Sequence, residues 1–259
     1  MNCQFSLIIF KYQALAKDLS IIKRIFKGYF NFDTMQLYWI LFIGVAILSY
    51  WAQSNVKRKF DKYAKMPLTN GMTGKEIAEQ MLHDNGIYDV TVKSTRGMLT
   101  DFYNPQDKTV NLSEAVYGSN SVAAAAVAAH ECGHALQHAQ SYAPLKLRSM
   151  LVPIVQFSSS IVSWILLAGI IMVQTFPGIL LFGIILFALT TLFSVITLPV
   201  EINASQRALV WLNRAGVTNV SNHHAATDAL KAAAYTYVVA ALSSLATLIY
   251  YITIYNNRR

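Results

Sequence analysis

His130-Glu131-Cys132-Gly133-His134 stands near the end of an alanine-rich run from Ser121 to Gln140. That run holds no proline and a single glycine, which predicts a helix. Residues four apart lie one turn apart on the same helix face, so His130 and His134 can offer two imidazoles to one metal ion. Glu131, about 100° round the helix, lies beside that ion without being forced to ligate it. Zinc takes nitrogen ligands in this arrangement, and a carboxylate close by can accept a proton from zinc-bound water. Composition alone would produce H-E-x-x-H in roughly one chain of this size in a hundred. The competing reading is a helix that happens to carry two histidines.

The rest of the chain is not that of an ordinary soluble domain. Hydrophobic residues make up 54% and charged residues 13%, against the roughly 25% charged that is usual. The net charge is +8, but no basic stripe with interleaved aromatics appears, which argues against a nucleic-acid partner. Lysine and arginine instead mark the cytoplasmic face of a membrane protein. Cys3 and Cys132 are the only cysteines; neither a disulfide nor a structural zinc site is expected from them. Cys132 reads as packing, since nothing marks it as a nucleophile.

Outward from the motif, the expected fold is mainly α: four transmembrane helices and a small α+β domain at the membrane surface. Residues 1–34 read as a leader with poor targeting character. Met35 directly precedes an apolar span, so the natural start is expected there. The first span covers 35–52, and Lys57, Arg58, Lys59, Lys62 and Lys65 follow it. Residues 53–150 form the domain that carries the motif. Thr73-x-x-Glu76 is a capping box for a helix to Asn85, ended by Gly86. Tyr88–Thr95, Leu99–Tyr103 and Thr109–Leu112 read as strands. An edge of that sheet could hold a peptide through main-chain hydrogen bonds, or the sheet could be purely structural.

After Tyr142-Ala143-Pro144 breaks the motif helix, residues 151–200 form a membrane hairpin turning at Pro177-Gly178. The hairpin returns Glu201 to the face that carries His130 and His134. A carboxylate at the foot of an apolar helix is costly unless partnered. It is either an interfacial charge or a third zinc ligand, and the topology favours the ligand. Residues 201–231 are a polar segment broken at Gly216, and 232–255 form the fourth span. Fourteen lysines and arginines fall on the motif's side and seven on the other, which places the site in the cytoplasm with both termini outside.

Gly97-Met98-Leu99-Thr100-Asp101-Phe102-Tyr103-Asn104-Pro105, Leu112-Ser113 to Val116-Tyr117, the helix VAAHECGHALQ and LPVEINASQRAL from Leu198 to Leu209 together resemble the YugP-like family of bacterial membrane zinc metallopeptidases. The likeness runs from about Tyr38 to the fourth span. It implies a multi-pass protein of the bacterial inner membrane with a gluzincin-type site. That site holds one zinc per chain on His130, His134 and Glu201, with Glu131 as general base, and acts on a peptide or protein substrate. The family pattern tends to read Asp where this chain has Asn104 and Asn203. Gluzincins often carry an Asp four residues after the ligand Glu, to orient a ligating His; here that position is Ser205. Asn203 and Ser205 are thus candidates to support the ligands. Tyr142, His223, His224, Tyr235 and Tyr237 are candidate oxyanion donors. His138 continues the histidine face, but about 6 Å further along the axis than His134. Two other classes compete with an enzyme: an inactive membrane scaffold that kept its metal, and a transporter or channel. The spans lack the midplane charges that an ion path uses.

Overall fold

The computed structural model describes residues 32–97 and 100–257. The expectations placed on residues 1–31 and 258–259, and the first residue of the second strand, Leu99, lie outside them. In order the elements are α1 Phe32–Tyr63, α2 Gly74–Asp84, β1 Thr91–Thr95, β2 Phe102–Asn104, β3 Thr109–Ser113, α3 Glu114–Tyr117, α4 Val122–Ala139, α5 Ala143–Ile171, α6 Pro177–Arg214 and α7 His223–Asn256.

The motif helix α4 is the axis of the domain. Every residue from Val122 to Ala129 is buried, as are Cys132, Ala135 and Leu136. Alanine costs no side-chain entropy and keeps a helix thin, so α2, the sheet, α6 and α7 can all approach it. Ile77, Met81 and Leu82 of α2 supply the bulk that the alanines lack, together with Val110 and Leu112 of β3. The capping box opens α2: Glu76 N donates to the Thr73 hydroxyl (3.4 Å), and Thr73 N donates to the Glu76 carboxylate (2.8 Å). Gly86, at φ +72°, turns the chain out of it.

The sheet order is β1-β3-β2, with β1 parallel and β2 antiparallel to β3. β2 is thus an edge strand, and it lies against α4. Asp101, just before it, accepts from Ser113 N (2.7 Å) and from the Ser113 hydroxyl (3.2 Å), which pins the start of β2 to the end of β3.

Among the described residues, four helices are long and apolar enough to cross a membrane: α1 from Trp39, and α5, α6 and α7. The protein is a mainly α membrane protein with a small α+β part. The long helices pack in a row, α5 on α6, α6 on α7 and α7 on α1. At the α5–α6 turn the backbones nearly touch. A Cβ on Gly169 would lie 2.6 Å from Leu180 Cα, so only glycine fits without parting the helices. Val162, Leu166, Leu180, Ile184, Phe187, Tyr250 and Ile254 form the apolar core of the row.

The helices overrun the segments that hydropathy marks. The first continues past residue 52 to Tyr63, because Gln, Lys and Arg are good helix formers. α5 begins at Ala143 rather than 151, with Pro144 in its first turn, where a missing N–H costs nothing. α6 passes through Pro199 to Arg214, and α7 starts at His223 rather than 232. The stretch 201–231 is thus no separate segment. Its first half belongs to α6 and its last part to α7. Ala208, Trp211 and Leu212 of α6, and Ala226, Ala229 and Leu230 of α7, complete the core around α4. Apolar composition ends where a bilayer would end; the helix continues because the domain packs on its far end.

Candidate metal centre

α4 and α6 cross at Gly133 and Ala204. A Cβ on Gly133 would stand 2.6 Å from the Ala204 carbonyl oxygen, so glycine at this position is what lets the two backbones meet. The contact lies one residue from His134 and three from Glu201. It brings a residue of the hairpin against two from the motif.

Glu201 Oε2 lies 3.3 Å from His130 Nε2 and 3.6 Å from His134 Nε2. The two imidazoles stand nearly perpendicular, their centres 4.9 Å apart. Bonds of 2.0–2.1 Å at tetrahedral angles place neighbouring donor atoms about 3.3 Å apart. The two edges at Glu201 are therefore close to what one zinc-sized ion requires, and all three donors lie within 4.8 Å of one another. The far side of each ring is already engaged. His130 Nδ1 meets the Ser205 hydroxyl at 3.0 Å, and His134 Nδ1 meets Gln137 Oε1 at 3.0 Å. A carbonyl oxygen only accepts, so His134 carries its proton on Nδ1 and turns a bare Nε2 towards the triangle. Glu201 is 2% exposed, and its other oxygen, Oε1, is buried without a hydrogen bond. Oε1 has a cation beside it, Arg148 Nη1 at 3.5 Å, whereas Oε2 faces two imidazole nitrogens and is the oxygen with the place for a metal ion. Two imidazoles and one carboxylate are a donor set that suits zinc. Among the described residues this is the one cluster of three such ligand groups.

Glu131 is buried beside the triangle, and Tyr103 N of β2 donates to its Oε2 at 3.0 Å. Burial, the largest influence, pushes its carboxyl up to about 7; His130 opposes this, while the charges of Glu201 and Asp101 add to it. A metal cation alongside would pull it down again. Cys132 is fully buried against Ala78 O, and burial raises its thiol well above the ordinary value. That environment suits packing.

The remaining sequence candidates divide. Ser205 touches His130, as above. Asn203 Oδ1 accepts from Gln137 Nε2 (3.0 Å) and from Arg207 Nε (2.7 Å), so it steadies the glutamine that holds His134. Tyr237 of α7 faces Glu201 and Glu131. Tyr142 lies under the Arg207 guanidinium, 5.9 Å from its ring centre, and Tyr235 is exposed. His223 Nδ1 meets the Thr218 hydroxyl, and His224 is exposed. Both stand about 20 Å from Tyr237 along α7. His138 turns away to the Tyr103 hydroxyl at 2.8 Å. Asp228, a fallback third ligand, is held by Lys59 and by the Tyr63 hydroxyl (2.6 Å).

Three members of the site were not read from the sequence. Gln137 follows His134 by three residues and shares its face, a spacing that could have marked it. It is fully buried and also donates to Val200 O of α6 at 2.8 Å. Arg148 is buried at the start of α5 with Nη1 3.5 Å from Glu201 Oε1. A buried cation near the head of an apolar helix is as costly as the carboxylate that drew attention to Glu201. The Tyr103 amide is a backbone group and carries no sequence signal.

A membrane protein with a two-histidine, one-glutamate centre of this size has the makings of a metal-dependent hydrolase, and comparison with known proteins agrees. The chain belongs to the family described as "Putative neutral zinc metallopeptidase", which it matches over residues 38–256. It is also similar to "Putative membrane protease YugP" of Bacillus subtilis (strain 168), with 43% identity over 223 residues, 86% of this chain and 98% of that protein. No solved structure matches it.

Proposed function

We propose that the protein hydrolyses peptide bonds at one zinc ion held by His130, His134 and Glu201, with Glu131 as general base. The observation that carries this is the donor triangle: three ligand atoms within 4.8 Å of one another, Glu201 at near-tetrahedral spacing from each histidine, with both imidazoles tied back by their other nitrogen. Bound there, zinc supplies Lewis acidity towards water and a scissile carbonyl. The chain's own groups do the rest. The Tyr103 amide fixes one oxygen of Glu131 and leaves the other to take the proton of the attacking water and pass it to the leaving amine. Tyr237, facing both carboxylates, is placed to donate to the developing oxyanion. The substrate is a peptide or protein, and the site's place at the root of α6 suits one associated with a membrane.

An inactive metal-binding scaffold would share the triangle but has no use for a carboxylate held beside it by a backbone amide. The decisive measurement is proteolysis of an unfolded protein such as casein by detergent-purified enzyme. Cleavage should stop on chelation and return with zinc. A fully zinc-loaded protein that cleaves neither casein nor any member of a peptide library would favour the scaffold.

The four long helices are proposed to cross the bacterial inner membrane four times, with the zinc site at the cytoplasmic surface, on the charge asymmetry of the loops. A membrane-impermeant thiol reagent applied to intact cells should label Arg259→Cys and miss Lys62→Cys. The opposite pattern would reverse the orientation.

A further inference from the structure

We propose that Arg148 is a positioning residue that sets how Glu201 ligates the ion. The inference rests on the three-ligand reading and extends it to a residue on a different helix. Leu147, Met150, Ile154 and Phe157 of α5 are all exposed, whereas Arg148 between them turns inward and is 5% exposed. An arginine in a protein cannot lose its charge, so burying it demands an anion. Its Nη1 lies 3.5 Å from Glu201 Oε1. The other oxygen, Oε2, is the one that faces His130 and His134. The carboxylate is thus divided between two cations: Oε1 for the guanidinium, Oε2 for the ion.

A carboxylate can ligate a metal through one oxygen or both. The guanidinium charge 3.5 Å from Oε1 favours ligation through Oε2 alone, which keeps the ion at three protein donors and leaves its fourth position open for chemistry. Without the guanidinium, Oε1 is released to reach the metal as well, adding a fifth donor beside the three protein atoms and the water. Arg148 also keeps Glu201 aimed before any ion arrives, so the site needs less rearrangement to bind.

The test uses full-length protein in detergent, with zinc and cobalt(II) as probes. Arg148→Gln should weaken zinc binding, measured by competition with a chromogenic chelator, by roughly 10–100-fold, the usual range for removing a ligand's outer partner. Its cobalt(II) form should lose the intense visible bands of four-coordination for the weaker ones of five. Arg148→Lys, which keeps the charge, should recover part of the affinity. A folded Arg148→Gln protein with wild-type zinc affinity and an unchanged cobalt spectrum would overturn the proposal. If Arg148→Gln fails to fold, Arg148→Gln combined with Glu201→Gln decides. Restored folding supports the pairing, because both charges have gone together; continued failure assigns Arg148 to its other contacts and overturns it. A wild-type protein that binds no zinc would instead sink the three-ligand reading itself.

Discussion

Glu131→Gln is expected to keep about one zinc per chain and to lose peptide hydrolysis by at least ~10²-fold. The two effects separate because Glu131 is no corner of the donor triangle: the proposed ligand atoms are those of His130, His134 and Glu201. Glutamine has nearly the same shape, and its amide oxygen can still accept from Tyr103 N, so β2 stays where it is. What it cannot do is take a proton from water. Zinc content by mass spectrometry and cleavage rate on the same preparation are the measurement. Unchanged cleavage would move the general base to another group, and loss of zinc would make Glu131 a ligand.

Glu201→Ala should lose both metal and activity. Two imidazoles remain where catalytic zinc usually has three protein donors, so the fall in affinity should exceed the roughly 10–100-fold typical of losing an outer partner. Stability should suffer as well. The substitution takes away the carboxylate beside Arg148 and leaves that charge buried; breaking a buried ion pair from one side costs about 3–5 kcal/mol. A thermal melt should therefore show a lower transition even in metal-free protein, where ligand loss alone would change nothing. Excess zinc is expected to restore a little binding. Zinc held as tightly as in the wild type would mean that the third ligand lies elsewhere.

Much of the site was legible because its chemistry is local. His130 and His134 declare themselves by helical spacing. Glu201 declares itself as a carboxylate where an apolar helix should not have one, and the hairpin says which side it returns to. The capping box at Thr73 is likewise a matter of four consecutive residues. The supports were harder to read. Gln137 and Arg148 matter through partners 60 residues or so away on α6, and Tyr103 acts through its amide. Ser205 shows the limit of reasoning from a pattern. The Asp that gluzincins often carry at this position marks it as a departure from them, yet its hydroxyl reaches His130 at the distance an orienting group needs. It does so without a carboxylate's charge. The sheet order was hidden too, since strands of three to five residues say little about which neighbour they choose.

The crossing of α4 and α6 at Gly133 and Ala204 has a mechanical side. α6 is one 38-residue helix that carries both its apolar stretch and Glu201. Where such a helix crosses a bilayer, it tilts to fit the hydrocarbon thickness. A rotation about the Gly133–Ala204 contact, where backbone meets backbone, would move the two ends of that stretch unequally. The far end at Pro177 lies about 40 Å from that point, Glu201 only about 4.5 Å. A tilt of about 10° thus sweeps the far end through roughly 7 Å but moves Glu201 by less than about 1 Å. A short lever arm lets the helix follow the thickness of its membrane while the metal triangle keeps its shape.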